Sequence, residues 1–183
     1  MNNQLILAFT TKANGYLREL SNEILVSPSS STILPGQTPN PIKAKAVWDT
    51  GATNTCISSR IVQSLNLISI SKTPISGVTS TVLANVYLVD IYLPNKVIIP
   101  NIQVSEPPSL NSCDILIGMD IIRLGDFSIT NADGKTWFSF RIPPAKNHID
   151  YVKDANIHNN LLYKKIKSSQ QGSKRNKSRR KKK

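Results

Sequence analysis

The apolar residues of this chain fall in short runs, and most of these runs suit strands better than helices. Residues 15 to 26 mix apolar and polar positions and end on Ile24-Leu25-Val26, which predicts a strand or hairpin, a short helix being the other reading. Residues 43 to 49 predict a strand that ends on a carboxylate, Asp49. Residues 59 to 67 place apolar side chains at 61, 62, 65 and 67, the spacing of a short helix. Val86, Leu88, Asp90 and Tyr92 then alternate with Tyr87, Val89 and Ile91; both sets are largely apolar, so this strand is expected to be buried on both faces, with Pro94-Asn95 turning the chain after it. Residues 96 to 104 read as a further strand, kinked or at an edge because of Pro100. Residues 114 to 122 form an apolar run broken by Gly118, and residues 127 to 142 read as a hairpin turning at Asp133-Gly134.

Between the strands, residues 27 to 42 hold four prolines and four serines and read as a surface insertion, with shielding of a cleft mouth as its functional alternative. Residues 149 to 166 have an imperfect helical period through Ile149, Val152, Ala155, Leu162 and Ile166. The expectation is an all-β, mainly β, domain over residues 1–145 with one or two short helices, a connecting segment over 146–167 that can be helical, and a disordered basic tail over 168–183.

Charge sharpens this division. Of 23 Lys and Arg in 183 residues, 11 lie between Lys164 and Lys183, where there is no Asp or Glu. The net charge of +12 therefore belongs to the tail, and the body is nearly neutral. Such a block suits nonspecific nucleic acid, an acidic partner or an anionic membrane, or is simply a solvated tail; without interleaved aromatics, base-specific readout is not expected. Two cysteines, Cys56 and Cys113, are too few for a disulfide framework and read as free thiols in a reducing compartment. Neither His148 nor His158 sits in a recognisable site, so no metal and no cofactor are expected. No apolar run approaches the ~20 residues of a membrane span, and the N-terminus is a poor signal peptide, which leads to a cytoplasmic expectation.

The candidate chemistry lies in AVWDTGATNTCIS, where an apolar strand delivers Asp49 into a Thr50-Gly51-Ala52 turn. A turn-like Ser76-Gly77-Val78-Thr79 follows within a β-rich region, and then Ile115-Leu116-Ile117-Gly118 runs into a short helical stretch. In type and order these elements resemble the retropepsin family, the retroviral-type aspartic proteases, and GDFSITNADGKTWFSFRIP is similar to bacterial chromosomal members. The resemblance implies a closed, barrel-like β half and hydrolysis of extended peptides. In that chemistry one carboxylate activates a water while a second, protonated, polarises the scissile carbonyl.

The chain carries one Asp-Thr-Gly, so the resemblance implies a homodimer in which each protomer contributes Asp49. It further implies that Thr50 bonds across the dimer beneath the aspartates, and that Gly51 permits the tight turn and close substrate approach. Ala52 would line the cleft, Ile117 and Gly118 would lie behind the acidic loop, and Gly77, Val78 and Thr79 would form a flap tip over the peptide. Trp48 reads as core rather than substrate contact. Thr53 and Met119 occupy the places where viral members carry an ion pair, so the dimer needs other support, for which the Trp137–Ile142 strand is the candidate. The alternative reading is a noncatalytic dimeric module that binds peptide in the cleft or nucleic acid through the tail.

Overall fold

The computed structural model describes residues 5–33, 36, 38–76, 81–110 and 112–180, without the side chains of 76 and 168–180. Two compact units divide the chain, Met1–Ala145 and Lys146–Lys183.

Among its described residues the first unit contains ten strands: β1 (Leu7–Lys12), β2 (Ser21–Pro28), β3 (Ile42–Trp48), β4 (Cys56–Ile57), β5 (Ser71–Ser76), β6 (Thr81–Tyr92), β7 (Ile98–Ser105), β8 (Ile115–Ile117), β9 (Asp126–Thr130) and β10 (Trp137–Ile142). Two short helices interrupt them, α1 (Ser59–Ser64) and α2 (Met119–Ile122). The fold is thus mainly β, as the alternation predicts. Seven strands form one sheet in the order β2-β3-β8-β4-β7-β6-β5, and β2 also pairs with β6. That extra pairing closes six of the strands into a ring, with β5 attached to β6 outside it. Closure removes most of the unpaired edges that an open sheet would present. The remaining three strands form a second sheet, β1-β10-β9.

The ring is filled by the inward residues of its strands: Ile24, Val26, Ala44, Ala46, Val89, Ile91, Val104, Ile115 and Ile117 are all at most 2% exposed. Burial along the second half of β6 is nearly continuous, matching the expectation of a strand covered on both faces. The one carboxylate in that stretch, Asp90, is only 3% exposed and is fully used. Opposite it, β7 slips register between Val89↔Ile102 and Ile91↔Ile99, where Pro100 and Asn101 (φ 56°) form the irregularity. Proline offers no ladder donor, and the Asp90 Oδ1 instead accepts the Asn101 N–H at 2.9 Å while Oδ2 accepts the Ser30 N–H at 3.1 Å. These bonds anchor the start of the Ser/Pro insertion.

Trp48 joins the two sheets. Its ring stacks on Phe127 of β9 with centroids 5.3 Å apart and planes 9° from parallel, and it also contacts Phe9, Phe138 and Phe140. The polar edge of the indole is satisfied by Nε1–H donating to Asn22 Oδ1 at 2.6 Å. Trp48 is 4% exposed, so its place is the core.

One expectation needs correction. The Trp137–Ile142 strand is the middle of its sheet, with β1 on one edge and β9 on the other and with Phe138 and Phe140 fully buried. A strand with both edges paired has no ladder left for a second copy. The Ser/Pro insertion starts at the end of β2 away from Asp49. Ser21 of β2 pairs with Val47, whereas Pro28, at the other end of β2, pairs with Val89, so residues 29 to 32 leave the strand roughly 20 Å or more from the acidic loop.

In the second unit, α3 runs from Tyr151 to Arg180. The helical period of residues 149 to 166 anticipates its first half; the backbone of residues 168 to 180 is helical as well, where composition predicts a tail unable to fold alone. Lys, Arg and Gln are good helix formers, which permits the extension once a helix has started. Among the described residues, no helix is long and apolar enough to cross a membrane.

Asp114 fastens the entry of β8. Arg60 Nη2 lies 2.6 Å from its Oδ2 and Arg60 Nε donates to Oδ1 at 2.8 Å, a bidentate pair, and the Lys45 N–H donates to Oδ2 at 2.9 Å. The Arg60 guanidinium, aided by that backbone donor, holds the Asp114 carboxyl below its ordinary pKa. A carboxylate with a depressed folded pKa stabilises the fold above its unfolded value of about 4 and loses that contribution as pH falls through the folded value. Urea denaturation should therefore show Asp114→Asn less stable than the parent at pH 7, with the gap closing below about pH 4.

Candidate active site

The acidic loop follows from where β3 must stop. Ala46, Val47 and Trp48 pair in parallel with Ile115, Leu116 and Ile117 of β8. The ladder ends with the Asp49 N–H donating to Ile117 O at 2.9 Å. The chain then turns at once: the Ala52 N–H reaches Asp49 O at 3.2 Å, and the Gly51 N–H reaches Asp49 Oδ1 at 2.8 Å. The second bond is the side-chain-to-backbone closure that aspartate supplies in turns. It fixes one carboxylate oxygen, while Oδ2 receives no hydrogen bond from the described residues. Asp49 is half-buried, and Thr50 and Gly51 are exposed beside it. The Thr50 hydroxyl makes no hydrogen bond among the described residues.

After the turn the chain enters β4, and β4 pairs with the other edge of β8, Cys56↔Leu116 and Ile57↔Ile115. Strand β8 is therefore held between the strands on either side of the loop, and its C-terminal end runs directly beneath it. Met119 N–H donates to Ala52 O at 2.8 Å and Asp120 N–H to Thr53 O at 3.1 Å. Contact is so close at Gly118 that an added Cβ would sit 2.6 Å from the Asn54 carbonyl carbon, 2.7 Å from its oxygen and 3.0 Å from Ala52 O. Ile117 is fully buried below the loop. Asp49, Thr50, Gly51, Ala52, Ile117 and Gly118 are thus brought together.

Gly51 packs directly against the Asp49 carboxylate. Its φ is not positive, so the turn does not demand the left-handed region. A Cβ there would instead lie 3.1 Å from Asp49 Oδ1, and its absence leaves room around the carboxylate.

The arms of the expected flap pair as a hairpin, β5 against β6 from Ser71↔Val86 to Ser76↔Thr81. Gly77, Val78 and Thr79, the expected tip, lie outside the described residues.

Two residues that motif reading passed over complete the support. Thr55, fully buried, donates its hydroxyl to Asp120 Oδ1 at 2.7 Å and its N–H to Oδ2 at 2.9 Å, and accepts the Gly118 N–H at 3.2 Å. One hydroxyl and one carboxylate thus tie the end of the loop to the start of α2, beside Thr53 and Met119. In sequence the signal is faint: an aspartate two residues past Gly118 and a threonine four past Gly51. Cys56 and Cys113 are free, and burial pushes both thiols up from their ordinary pKa.

No family model matches the chain, and no curated protein does. Among solved structures the chain is similar to a retropepsin-like aspartic protease from Rickettsia conorii, at 13% identity and a TM-score of 0.45, over 77% of this chain and 98% of that one.

Two substitutions should separate the supports of the loop. Gly118→Ala forces a methyl against backbone and should cost about 1–3 kcal/mol. Thr55→Val leaves the Asp120 carboxylate and the Gly118 N–H short of a partner and should cost about 1–3 kcal/mol, with Thr55→Ser recovering most of it. Urea denaturation at neutral pH measures both.

Proposed function

We propose that this chain is a retropepsin-like aspartic endopeptidase that works as a homodimer, with Asp49 of each protomer forming one half of the catalytic pair. The observation that carries this reading is the construction of the acidic loop. A half-buried carboxylate stands at the end of a packed strand, one oxygen fixed by the Gly51 N–H, on a loop bonded to Ile117, Met119 and Asp120. A turn that needed aspartate for shape alone would have no use for so much support beneath an exposed Thr50-Gly51.

Two such loops facing each other across a two-fold axis bring the two carboxylates close enough to share one proton. The ionised carboxylate takes a proton from water as the oxygen attacks the scissile carbonyl carbon. The protonated carboxyl gives its proton to the carbonyl oxygen, forming a neutral tetrahedral diol. Collapse of the diol breaks the C–N bond, with a proton passing to the leaving amine. Thr50, which has no partner within its own chain among the described residues, is available to bond across the interface and hold the loops in register. The substrate is an extended peptide with apolar residues about the scissile bond, added as a strand beneath the β5–β6 hairpin. Activity belongs to acid or mildly acid pH, where the shared proton is present.

Peptide-library cleavage read by mass spectrometry at several pH values tests the reaction. Asp49→Asn should lower cleavage by about 10⁴-fold or more, since it removes the proton-transferring group from both halves of the pair. Cleavage equal to the parent refutes the assignment, and a parent inactive at every pH that still binds peptide favours the noncatalytic module.

Dimerisation has a separate readout. Specific activity per chain should fall on dilution, and excess Asp49→Asn protein should suppress the parent by forming mixed dimers. A monomer that retains full activity in analytical ultracentrifugation overturns the shared pair.

A further inference from the structure

The Asp120 carboxylate and the Asp49 backbone are joined by a chain of hydrogen bonds that passes through a single peptide group. The Asp49 N–H donates to Ile117 O at 2.9 Å. On the other side of that peptide unit, the Gly118 N–H donates to Thr55 Oγ1 at 3.2 Å. The Thr55 hydroxyl in turn donates to Asp120 Oδ1 at 2.7 Å. Every donor in the chain points toward Asp120, so each bond polarises the next in the same sense. Ile117, Gly118 and Thr55 are buried, which strengthens the bonds further. The carboxylate is itself held: Oδ2 accepts the Thr55 N–H at 2.9 Å, and Oδ1 also accepts the Ile121 N–H at 2.9 Å. Both oxygens thus face donors, and an amide in place of the carboxylate would turn its own N–H groups toward one of them.

We propose that Asp120 is a positioning residue for the reaction, acting on Asp49 through Thr55 and the Ile117–Gly118 peptide; this rests on the reading of Asp49 as half of the catalytic pair. Asp120 acts on where the Asp49 backbone stands. The bond to Ile117 O is the point at which the ladder of β3 ends and the acidic turn begins. Polarisation from Asp120 makes that oxygen a stronger acceptor and fixes the turn at its first residue. Two carboxylates that share a proton tolerate little displacement, and misplacing reacting groups by about 1 Å costs roughly 10²-fold in rate. Asp114 supplies the contrast. It secures the other end of β8, but its carboxylate bonds go to Arg60 and the Lys45 N–H, at the far end of the β3–β8 pairing from Asp49. Loss of either carboxylate weakens the fold, whereas loss of Asp120 also loosens the catalytic backbone.

Four variants of the full chain test this by two readouts: Asp120→Asn, Thr55→Val, Thr55→Ser and Asp114→Asn. In steady-state cleavage of a library peptide, Asp120→Asn should lower kcat about 10–100-fold and leave KM within about twofold of the parent. Thr55→Val should behave alike, and Thr55→Ser, which keeps the hydroxyl, should stay near the parent. Asp114→Asn should lose stability yet keep kcat. In hydrogen exchange followed by NMR, the Asp49 amide should exchange about tenfold or more faster in Asp120→Asn than in the parent or in Asp114→Asn. Circular dichroism checks folding, and where Asp120→Asn does not fold, Thr55→Val against Thr55→Ser carries the same comparison. The positioning role is overturned if Asp120→Asn keeps the parent's kcat, if it loses no more than Asp114→Asn does, or if Asp49 exchange is unchanged. A parent that cleaves no peptide at any pH refutes the catalytic reading and the role in the reaction with it. An active parent beside an equally active Asp120→Asn refutes the positioning role alone.

Discussion

The acidic loop depends on one backbone contact, the passage of residues 117 to 120 directly beneath residues 49 to 55. Asp49, Ala52 and Thr53 each exchange a backbone hydrogen bond with that segment, and Gly118 leaves no space for a side chain between them. Buried backbone groups must find partners, and here each stretch satisfies the other. The acidic turn is therefore fixed by a segment more than 60 residues away in sequence rather than by its own turn chemistry alone.

That contact is possible because β8 is inserted between β3 and β4, and polar side chains secure it at both ends. At its entry Asp114 gathers Arg60 and the Lys45 N–H; at its exit Asp120 gathers the hydroxyl and N–H of Thr55. Beneath, Trp48 carries the rigidity of β3 into the three-stranded sheet through its stack on Phe127. A carboxylate placed after such a strand has little freedom to drift. The proposed chemistry requires that restraint, since two carboxylates must share a proton at short range.

The two units use sequence differently. In the first, local pattern and long-range pairing agree, so each strand has a partner that buries its apolar face. In the second, the apolar residues of α3 are exposed on more than one side, and its charge turns wholly basic from Lys164 on. Its period is legible because the repeat is local; the extension of the helix into the basic block is not, since composition alone predicts an unfolded tail there.

Much of the site was readable from residue types. Asp49 at the end of an apolar strand, the Thr-Gly-Ala after it, and a second apolar strand ending in Gly118 are local patterns, and strand alternation, the Asp133-Gly134 turn and the buried run of β6 are local too. What sequence could not supply was partnership. Trp137–Ile142 reads as a terminal strand open to a second copy, yet two neighbours distant in sequence occupy both its edges. Thr55 and Asp120 look like an ordinary turn threonine and a helix-start aspartate until β4 and α2 are set side by side. At Gly51 a Cβ would come 3.1 Å from the Asp49 carboxylate, a crowding set by the folded loop and not by a left-handed turn. Periodicity and turn chemistry act over a few residues and are written in the chain; edge occupancy, crowding and polar pairing arise only when strands far apart in sequence become neighbours in space.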